Sequence, residues 1–133
     1  MKRMIPILMV MTLFLTGCAV STPAPEANTY SQITMQEAVE MMEKEENYII
    51  LDVRTQEEFA AGHIPGAIVI PNETIGTEEI PQLPDKDQLI MVYCRSGNRS
   101  KQASDKLVKL GYTNIVEFGG INDWQGETVS GAS

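Results

Sequence analysis

The spacing of apolar residues predicts three helices along the chain. In the first, apolar residues recur every three or four positions, and Thr34 and Glu37 have the spacing of a capping box, which satisfies free backbone N–H groups where a helix begins. Gly62 and Gly111 follow the other two, and glycine commonly comes directly after the end of a helix. The helices are expected over residues 34–46, 56–61 and 100–110.

Four further stretches are almost continuously apolar, a pattern typical of strands buried on both faces. They cover residues 48–53, 67–70, 89–93 and 114–118. Because strands and helices alternate, the pattern predicts an α/β domain with a parallel sheet covered by helices on both faces. Residues 71–87 contain several prolines and acids and are expected to form a loop with room for one helical turn. The small, polar residues 127–133 are expected to be a disordered tail.

Candidate functional residues follow the strands of the predicted sheet. Asp52-Val53-Arg54 comes at the end of one apolar run, and Cys94 directly follows another. Ligands of parallel α/β sheets bind beyond the carboxyl ends of the strands. We therefore expect both motifs at the same edge of the sheet.

The first 17 residues have the pattern of an export signal. The dipeptide Lys2-Arg3 is positively charged, and residues 4–15 form an apolar stretch of about a dozen residues, too short to span a bilayer. This stretch ends in Leu15-Thr16-Gly17-Cys18, which resembles the lipobox of bacterial lipoproteins. The resemblance implies that residues 1–17 are a signal peptide removed before Cys18.

Cys18 would then be the acylated first residue of the mature protein. Residues 18–29 are small, polar and proline-containing and are expected to form a flexible tether to a domain over residues 30–126. Since two acyl chains hold a protein stably on a membrane, we expect an extracytoplasmic protein, lipid-anchored to a bacterial membrane. An ordinary secretory signal, or an uncleaved anchor with an incidental cysteine, is the alternative.

The composition indicates one globular domain with an acidic surface. The 133 residues are 43% hydrophobic and 21% charged, which is ordinary for a globular chain with a single core. The formal net charge is −8, and without Lys2 and Arg3 eight basic residues face 18 acidic ones. Such a surface repels nucleic acid, so no nucleic-acid partner is expected, and any selectivity for anions must be local. The oligomeric state is left open.

Cysteine usage singles out Cys94. The chain has two cysteines, and if Cys18 carries lipid, Cys94 is the single free thiol of the mature domain. Disulfides form readily outside the cytoplasm, yet no second cysteine is available to pair with Cys94 or to resolve it after oxidation. We infer that Cys94 is present for its reactivity.

Cys94 begins the segment Cys94-Arg95-Ser96-Gly97-Asn98-Arg99-Ser100, between a predicted strand and a predicted helix. A turn of this kind points backbone N–H groups at one place and binds anions, and the positive end of the helix dipole adds to the effect. The same field lowers the pKa of a cysteine and favours the reactive thiolate. A small buried cysteine beside a basic turn is the alternative interpretation.

Three motifs in order resemble those of the rhodanese family. Residues 49–69, with Leu51-Asp52-Val53-Arg54 and Gly62-His63-Ile64-Pro65-Gly66-Ala67, look like its N-terminal signature. The Cys94–Ser100 segment is similar to its active-site loop, and Gly119-Gly120-Ile121-Asn122-Asp123-Trp124 is similar to its closing element. The resemblance covers roughly residues 30–126 and implies a three-layer α/β/α rhodanese-like domain with a parallel sheet of about five strands.

The resemblance also implies a sulfurtransferase. Cys94 would attack a small-molecule donor of sulfane sulfur such as thiosulfate, carry the sulfur as a persulfide and pass it to a thiol or to cyanide. The substrate-binding residues would be those of the loop, whose backbone N–H groups would cradle the transferred sulfur: Arg95, Ser96, Gly97, Asn98 and Arg99. Arg99 and also Arg95 would orient the anionic donor. No cofactor and no metal are expected.

Three polar residues are expected to support the loop rather than react. Asp52 should accept hydrogen bonds from loop backbone, and Arg54 should pair with an acid such as Glu58. His63, the single histidine of the chain, should be a hydrogen-bonded turn residue. Trp124 is expected to be a core or lid residue.

Two other function classes remain open at this stage. The cell-cycle phosphatases that resemble rhodaneses have a Cys-x5-Arg loop, whereas Cys94 to Arg99 is Cys-x4-Arg, which favours sulfur over phosphate or arsenate. A hydrolase or reductase of oxyanions is therefore one alternative. The other is a non-enzymatic, membrane-tethered sensor or partner-binding module that retains the loop.

Overall fold

The computed structural model describes residues 29–132. The predicted signal peptide, the lipidation site at Cys18 and the tether before Thr29 lie outside these residues. Within residues 29–132, no helix combines the length and the apolar character that crossing a bilayer requires.

The domain is a five-stranded parallel sheet flanked by helices, which confirms the predicted fold class. Its strands lie in the order β1-β5-β4-β2-β3. In chain order the elements are β1 (Ser31–Gln32), α1 (Met35–Lys44), β2 (Tyr48–Asp52), α2 (Gln56–Ala61), β3 (Ile68–Val69), β4 (Leu89–Cys94), α3 (Asn98–Lys109) and β5 (Ile115–Gly120).

The helix boundaries follow from local sequence. The predicted capping box of Thr34 and Glu37 is present at the start of α1. A second capping box, formed by Thr55 and Glu58, begins α2. The loop after β3 contains a single 3-10 turn, Asn72–Thr74, as its composition predicted.

Two features differ from the sequence-based expectation. The helix α3 begins at Asn98 rather than Ser100, so that Arg99 and Ser100 lie in its first turn. The edge strand β1 was not predicted, because its two residues are exposed and too few to show a periodic pattern.

Successive residues of β4 alternate between the two hydrophobic cores, one on each face of the sheet. Val92 and Cys94 face the core on the α3 side, together with Leu107. Met91 and Tyr93 face the core on the side of α1 and α2. This alternation is the two-residue period of a strand, and it directs the Cys94 side chain towards the start of α3.

The C-terminal segment expected to be disordered is instead held against the domain as far as Ala132, so that expectation was wrong for residues 127–132. Val129 and His63 exchange two backbone hydrogen bonds, at 2.8 and 2.9 Å, in an antiparallel bridge. The N–H of Gly131 donates to the carbonyl of Ala60 at 2.8 Å. Because His63 is buried, its backbone groups need protein partners, and the segment supplies them.

Candidate active site

Cys94 is the last residue of β4, and three residues separate it from α3. Gly97, the N-cap of α3, has a φ of 108°, in the left-handed region that glycine adopts at little cost. The loop therefore turns tightly above the strand. Cys94 itself is 1% exposed, at the base of this turn.

The sulfur of Cys94 is held by hydrogen bonds with the loop and with α3. The N–H of Gly97 donates to Sγ at 3.0 Å, and the Oγ of Ser100 lies 3.5 Å from Sγ. Burial raises the pKa of the Cys94 thiol. Hydrogen bonding by the Ser100 side chain, and by the N–H groups of Ser100, Gly97 and Ser96, outweighs burial and lowers this pKa. The geometry thus favours a thiolate.

The predicted loop residues divide into two groups in the structure. Ser96 and Gly97 direct backbone N–H groups at the sulfur, and Asn98 begins α3. The side chains of Arg95 and Arg99 extend towards Glu58 of α2. Ser100, which was not predicted as a site residue, contacts the sulfur with both its side chain and its N–H group.

Glu58 links α2 to both arginines. Arg99 donates two hydrogen bonds to its carboxylate, at 2.8 and 3.1 Å, and the Nε of Arg95 lies 3.8 Å from Oε2. The hydrogen bonds from Arg99 lower the pKa of Glu58 to about 2. The Arg95 side chain is 62% exposed against 31% for Arg99. Arg95 is therefore the more accessible cation at the entrance to the loop.

Arg54 pairs with Asp52, not with Glu58 as expected. Its Nη2 donates to Asp52 Oδ2 at 2.7 Å and to the carbonyl of Gly62 at 2.8 Å, and both members of the pair are buried. Asp52 also accepts the backbone N–H of Arg54 at 2.9 Å. The expected partner was wrong because Asp52, two residues away at the end of β2, is close enough for a bidentate contact. Glu58 is engaged by Arg99 instead.

His63 and Trp124 lie away from the sulfur. His63 stacks on Phe59 with ring centroids 3.6 Å apart, and its Nδ1 lies 2.8 Å from the carbonyl of Phe59. Trp124 packs against the core on the side of α1 and α2, and its Nε1 donates to the carbonyl of Glu127 at 2.9 Å. Neither side chain is positioned to exchange a proton with Cys94.

The end of β5 and the residues that follow it pack directly on the active-site loop. A Cβ at Gly120 would lie 2.0 Å from the carbonyl oxygen of Arg95, so only glycine allows the two backbones to approach. The N–H of Asn122 donates to the same oxygen at 3.2 Å. These contacts explain why the last residue of β5, Gly120, is a glycine.

A buried acid that the sequence did not reveal lies beside the loop. Glu117 in β5 is buried, and its Oε2 accepts hydrogen bonds from the Ser100 hydroxyl and from the N–H of Gly119. The signal that could have found it is the position of one acid within the apolar run Ile115-Val116-Glu117-Phe118. A charged residue at a core position of a strand needs a specific partner.

A depression of about 340 Å³ lies beside the loop. It is lined by Arg54, Glu58, Ala61, Gly62, Arg95, Ile121 and Thr128. Arg95 and Glu58 are thus both exposed to a molecule that enters it. Among residues 29–132 there is no cluster of three histidine, cysteine or acidic side chains arranged to hold a metal ion.

Comparison with known proteins assigns the chain to a family. The model of the rhodanese-like domain matches residues 34–127. The thiosulfate sulfurtransferase PspE of Escherichia coli (strain K12) is 37% identical over 73 residues, which cover 55% of this chain and 70% of PspE. A sulfurtransferase of Allochromatium vinosum is 40% identical over 82 residues, 59% of this chain and 73% of that protein.

Solved structures agree with this assignment. A structure of a rhodanese with anions from E. coli superimposes with a TM-score of 0.58 at 34% identity, covering 63% of this chain and 99% of that one. The family match extends over most of the described residues and includes all three motifs at the sheet edge. The chain belongs to the rhodanese-like domain family, whose members similar to it include sulfurtransferases.

Proposed function

We propose that this chain is a sulfurtransferase that moves sulfane sulfur from an anionic donor such as thiosulfate to a thiophilic acceptor, through a persulfide on Cys94. The observation that carries the proposal is the environment of the Cys94 sulfur. It is buried, it accepts the N–H of Gly97 at 3.0 Å, and hydrogen bonds lower its pKa. A thiolate held in this way is a nucleophile ready for covalent catalysis.

In the first half-reaction, the Cys94 thiolate attacks the sulfane sulfur of thiosulfate. A bond forms between Sγ and that sulfur, and the bond from the sulfane sulfur to the sulfonate group breaks. The electron pair of the broken bond leaves with sulfite, and the persulfide retains one negative charge. Arg95, the accessible cation at the entrance, would attract and orient the dianion.

In the second half-reaction, an acceptor thiol attacks the outer sulfur of the persulfide. The new bond joins the acceptor to that sulfur, the S–S bond to Cys94 breaks, and Sγ takes its electron pair. The acceptor leaves as a persulfide that retains its thiol proton, and Cys94 is again the thiolate that began the first half-reaction. Backbone N–H groups of the loop would stabilise the sulfur that carries the charge in each step.

Two observations favour sulfur over phosphate chemistry. The loop joins Cys94 to α3 through three residues, and the Gly97 N–H already lies at hydrogen-bond distance from Sγ, which suits a single sulfur atom. The relatives compared above are named sulfurtransferases, and one of them is named a thiosulfate sulfurtransferase.

Mass spectrometry of the purified protein after addition of thiosulfate tests the proposal. The wild type is expected to gain the mass of one sulfur atom, and Cys94→Ser is expected to gain none. Cys18→Ala is the matched control, because it removes the other cysteine and should retain the gain. Addition of a thiol should then remove the mass and release the acceptor persulfide.

Two results would overturn the assignment. Persulfide formation without turnover by thiols or cyanide would indicate a sulfur sensor or carrier rather than an enzyme. Phosphatase activity without a persulfide would indicate an oxyanion hydrolase.

We also propose that the domain works outside the cytoplasm, attached to the membrane by lipid on Cys18. The support is the sequence Leu15-Thr16-Gly17-Cys18 after a short apolar stretch. Expression of the full chain and of Cys18→Ala, followed by membrane fractionation, tests this. The wild type should be found with the membranes and carry acyl chains. An unacylated wild-type protein in the soluble fraction would contradict the proposal.

A further inference from the structure

Glu117 is a carboxylate buried behind the reactive thiol. Glu117 is 3% exposed. Its Oε2 accepts hydrogen bonds from the Ser100 hydroxyl and from the N–H of Gly119, the latter at 3.0 Å. None of the salt bridges formed within residues 29–132 includes Glu117. An unpaired buried carboxylate is costly, so this position is expected to have a specific use.

The Ser100 hydroxyl stands between this carboxylate and Cys94. A hydroxyl carries one proton. The Ser100 hydroxyl reaches two acceptors, Oε2 of Glu117 and, at 3.3 Å, the carbonyl oxygen of Gly119, and we assign the proton to the shorter contact, which is the one to Glu117. The Sγ of Cys94, 3.5 Å from Ser100 Oγ, therefore faces the lone pairs of the hydroxyl and acts as the donor. The result is a continuous chain from the thiol through the hydroxyl to the carboxylate.

We propose that Glu117 is the proton acceptor for the Cys94 thiol, acting through the hydroxyl of Ser100. The thiol proton passes to the Ser100 oxygen as the Ser100 proton passes to Oε2 of Glu117. The S–H bond breaks, a carboxyl O–H bond forms, the hydroxyl is restored, and no group is oxidised or reduced. The Ser100 hydroxyl then donates a hydrogen bond to the thiolate. Glu117 is in this sense a positioning residue, since it acts on Cys94 through Ser100.

This transfer keeps the charge of the buried site constant. Before it the carboxylate carries the negative charge, and after it the thiolate does, so the transfer itself never places two anions side by side in the buried site. The charge of the site affects how strongly a dianionic donor such as thiosulfate is repelled. For this step the inference rests on the proposed sulfurtransferase function. A neutral carboxyl behind the thiolate would repel such a donor less than a carboxylate.

Few other titratable groups face the pair among the described residues. Tyr30, next to β1, has its pKa raised by burial and then by the charges of Glu117 and Asp105. Arg99, on α3, has its pKa raised chiefly by the hydrogen bonds that it donates to the Glu58 carboxylate, and to a lesser degree by the charge of Cys94. Neither group accepts a hydrogen bond from Cys94 or Ser100, so Glu117 is the acceptor at the end of the chain.

The rate at which iodoacetamide alkylates Cys94, measured from acidic to mildly alkaline pH, tests the inference. In the wild type, the thiol and the carboxylate share one proton over a range of pH, so the rate should level off between two apparent pKa values. In Glu117→Gln, which keeps the shape but cannot take the proton, the rate should fall about tenfold for each pH unit below a single apparent pKa.

Two further variants complete the design. Glu40→Gln, on the exposed face of α1, removes a carboxylate far from the thiol and should retain the wild-type profile. Ser100→Ala leaves Glu117 in place but removes the hydroxyl, and it should lose the plateau. If Glu117→Gln does not fold, the comparison of Ser100→Ala with the wild type still decides the question.

A single-step profile in the wild type, or a plateau retained in Ser100→Ala or Glu117→Gln, would overturn the inference and leave Glu117 as a brace for Ser100. Alkylation requires no sulfur donor. Failure of this test is therefore distinguishable from failure of the proposed function, which is judged by the mass gain with thiosulfate.

Discussion

Glu58 accepts two hydrogen bonds from Arg99, 2.8 Å to Oε1 and 3.1 Å to Oε2. The same carboxylate lies 3.8 Å from the Nε of Arg95. Glu58 is itself held by the backbone N–H of Thr55 in the capping box of α2. One acid on a short helix therefore determines how much positive charge the active-site loop presents to an incoming anion.

Removal of this carboxylate should strengthen binding of an anionic donor. In Glu58→Gln, Arg99 and Arg95 lose their counter-charge, and the glutamine can still complete the capping box. We expect the KM for thiosulfate to fall about two- to fivefold at low salt, with less effect at high salt because ions screen the charge. Steady-state kinetics at two ionic strengths measures this.

Glu57→Gln is the matched control for Glu58→Gln, because Glu57 is the adjacent, exposed acid of the same helix. It should leave the KM close to that of the wild type. A higher KM in Glu58→Gln would mean that Arg99 must be held by Glu58 to bind the donor.

The depressed pKa of Glu58 also predicts a pH dependence of stability. The hydrogen bonds from Arg99 lower this pKa from 4.5 to about 2, so the folded state favours the ionised form. The stabilisation is complete above the unfolded-state pKa and is lost as the pH falls through the folded-state pKa. The difference in free energy of unfolding between the wild type and Glu58→Gln should therefore shrink between pH 4.5 and about 2. Urea titrations across this range measure it, and a constant difference would contradict the assignment.

The buried pair of Asp52 and Arg54 should be important for stability. Asp52→Asn leaves the Arg54 guanidinium buried without a counter-charge, which should cost about 3 kcal/mol of unfolding free energy. Asp105→Asn breaks the exposed pair with Lys109 and should cost less than about 1 kcal/mol. Urea denaturation of the two variants gives the comparison. Equal losses would show that burial of the Asp52 pair is not what determines its contribution.

Gly120 should not tolerate a side chain. In Gly120→Ala the new Cβ would lie 2.0 Å from the carbonyl oxygen of Arg95, so the active-site loop must move. We expect a loss of about 2 kcal/mol or more in stability and a loss of sulfur transfer. Gly76→Ala is the control, since nothing lies within 4 Å of its Cβ position. Thermal melts and turnover of both variants test this, and an active, stable Gly120→Ala would contradict the close packing.

The sequence was informative wherever a contact depends on neighbours along the chain. The capping box of Thr34 and Glu37, the apolar runs of the sheet and the turn from Cys94 to α3 are all local, and the structure contains each of them. The two-residue strand β1 was missed because it is too short to show a period. The C-terminal segment was missed because its order comes from His63, far away along the chain.

The partners of the charged residues were less predictable. Two acids, Asp52 and Glu58, lie close to Arg54 in the sequence. The structure pairs Arg54 with Asp52, whereas Glu58 on α2 pairs with Arg99. Arg99 and Glu58 are 41 residues apart in sequence, and Ser100 and Glu117 are 17 apart. Local patterns contain no information on such pairs.

By itself, the sequence determined the class of fold, the position of Cys94 at a sheet edge and the short loop that surrounds it. These follow from periodicity and from the backbone geometry of a few consecutive residues. Only the tertiary structure decided that Glu58 holds Arg99 and that Glu117 stands behind the thiol. The physical reason is that the charge and protonation of a buried group depend on whatever side chains the packed sheet and helices bring within a few ångströms, irrespective of their separation along the chain.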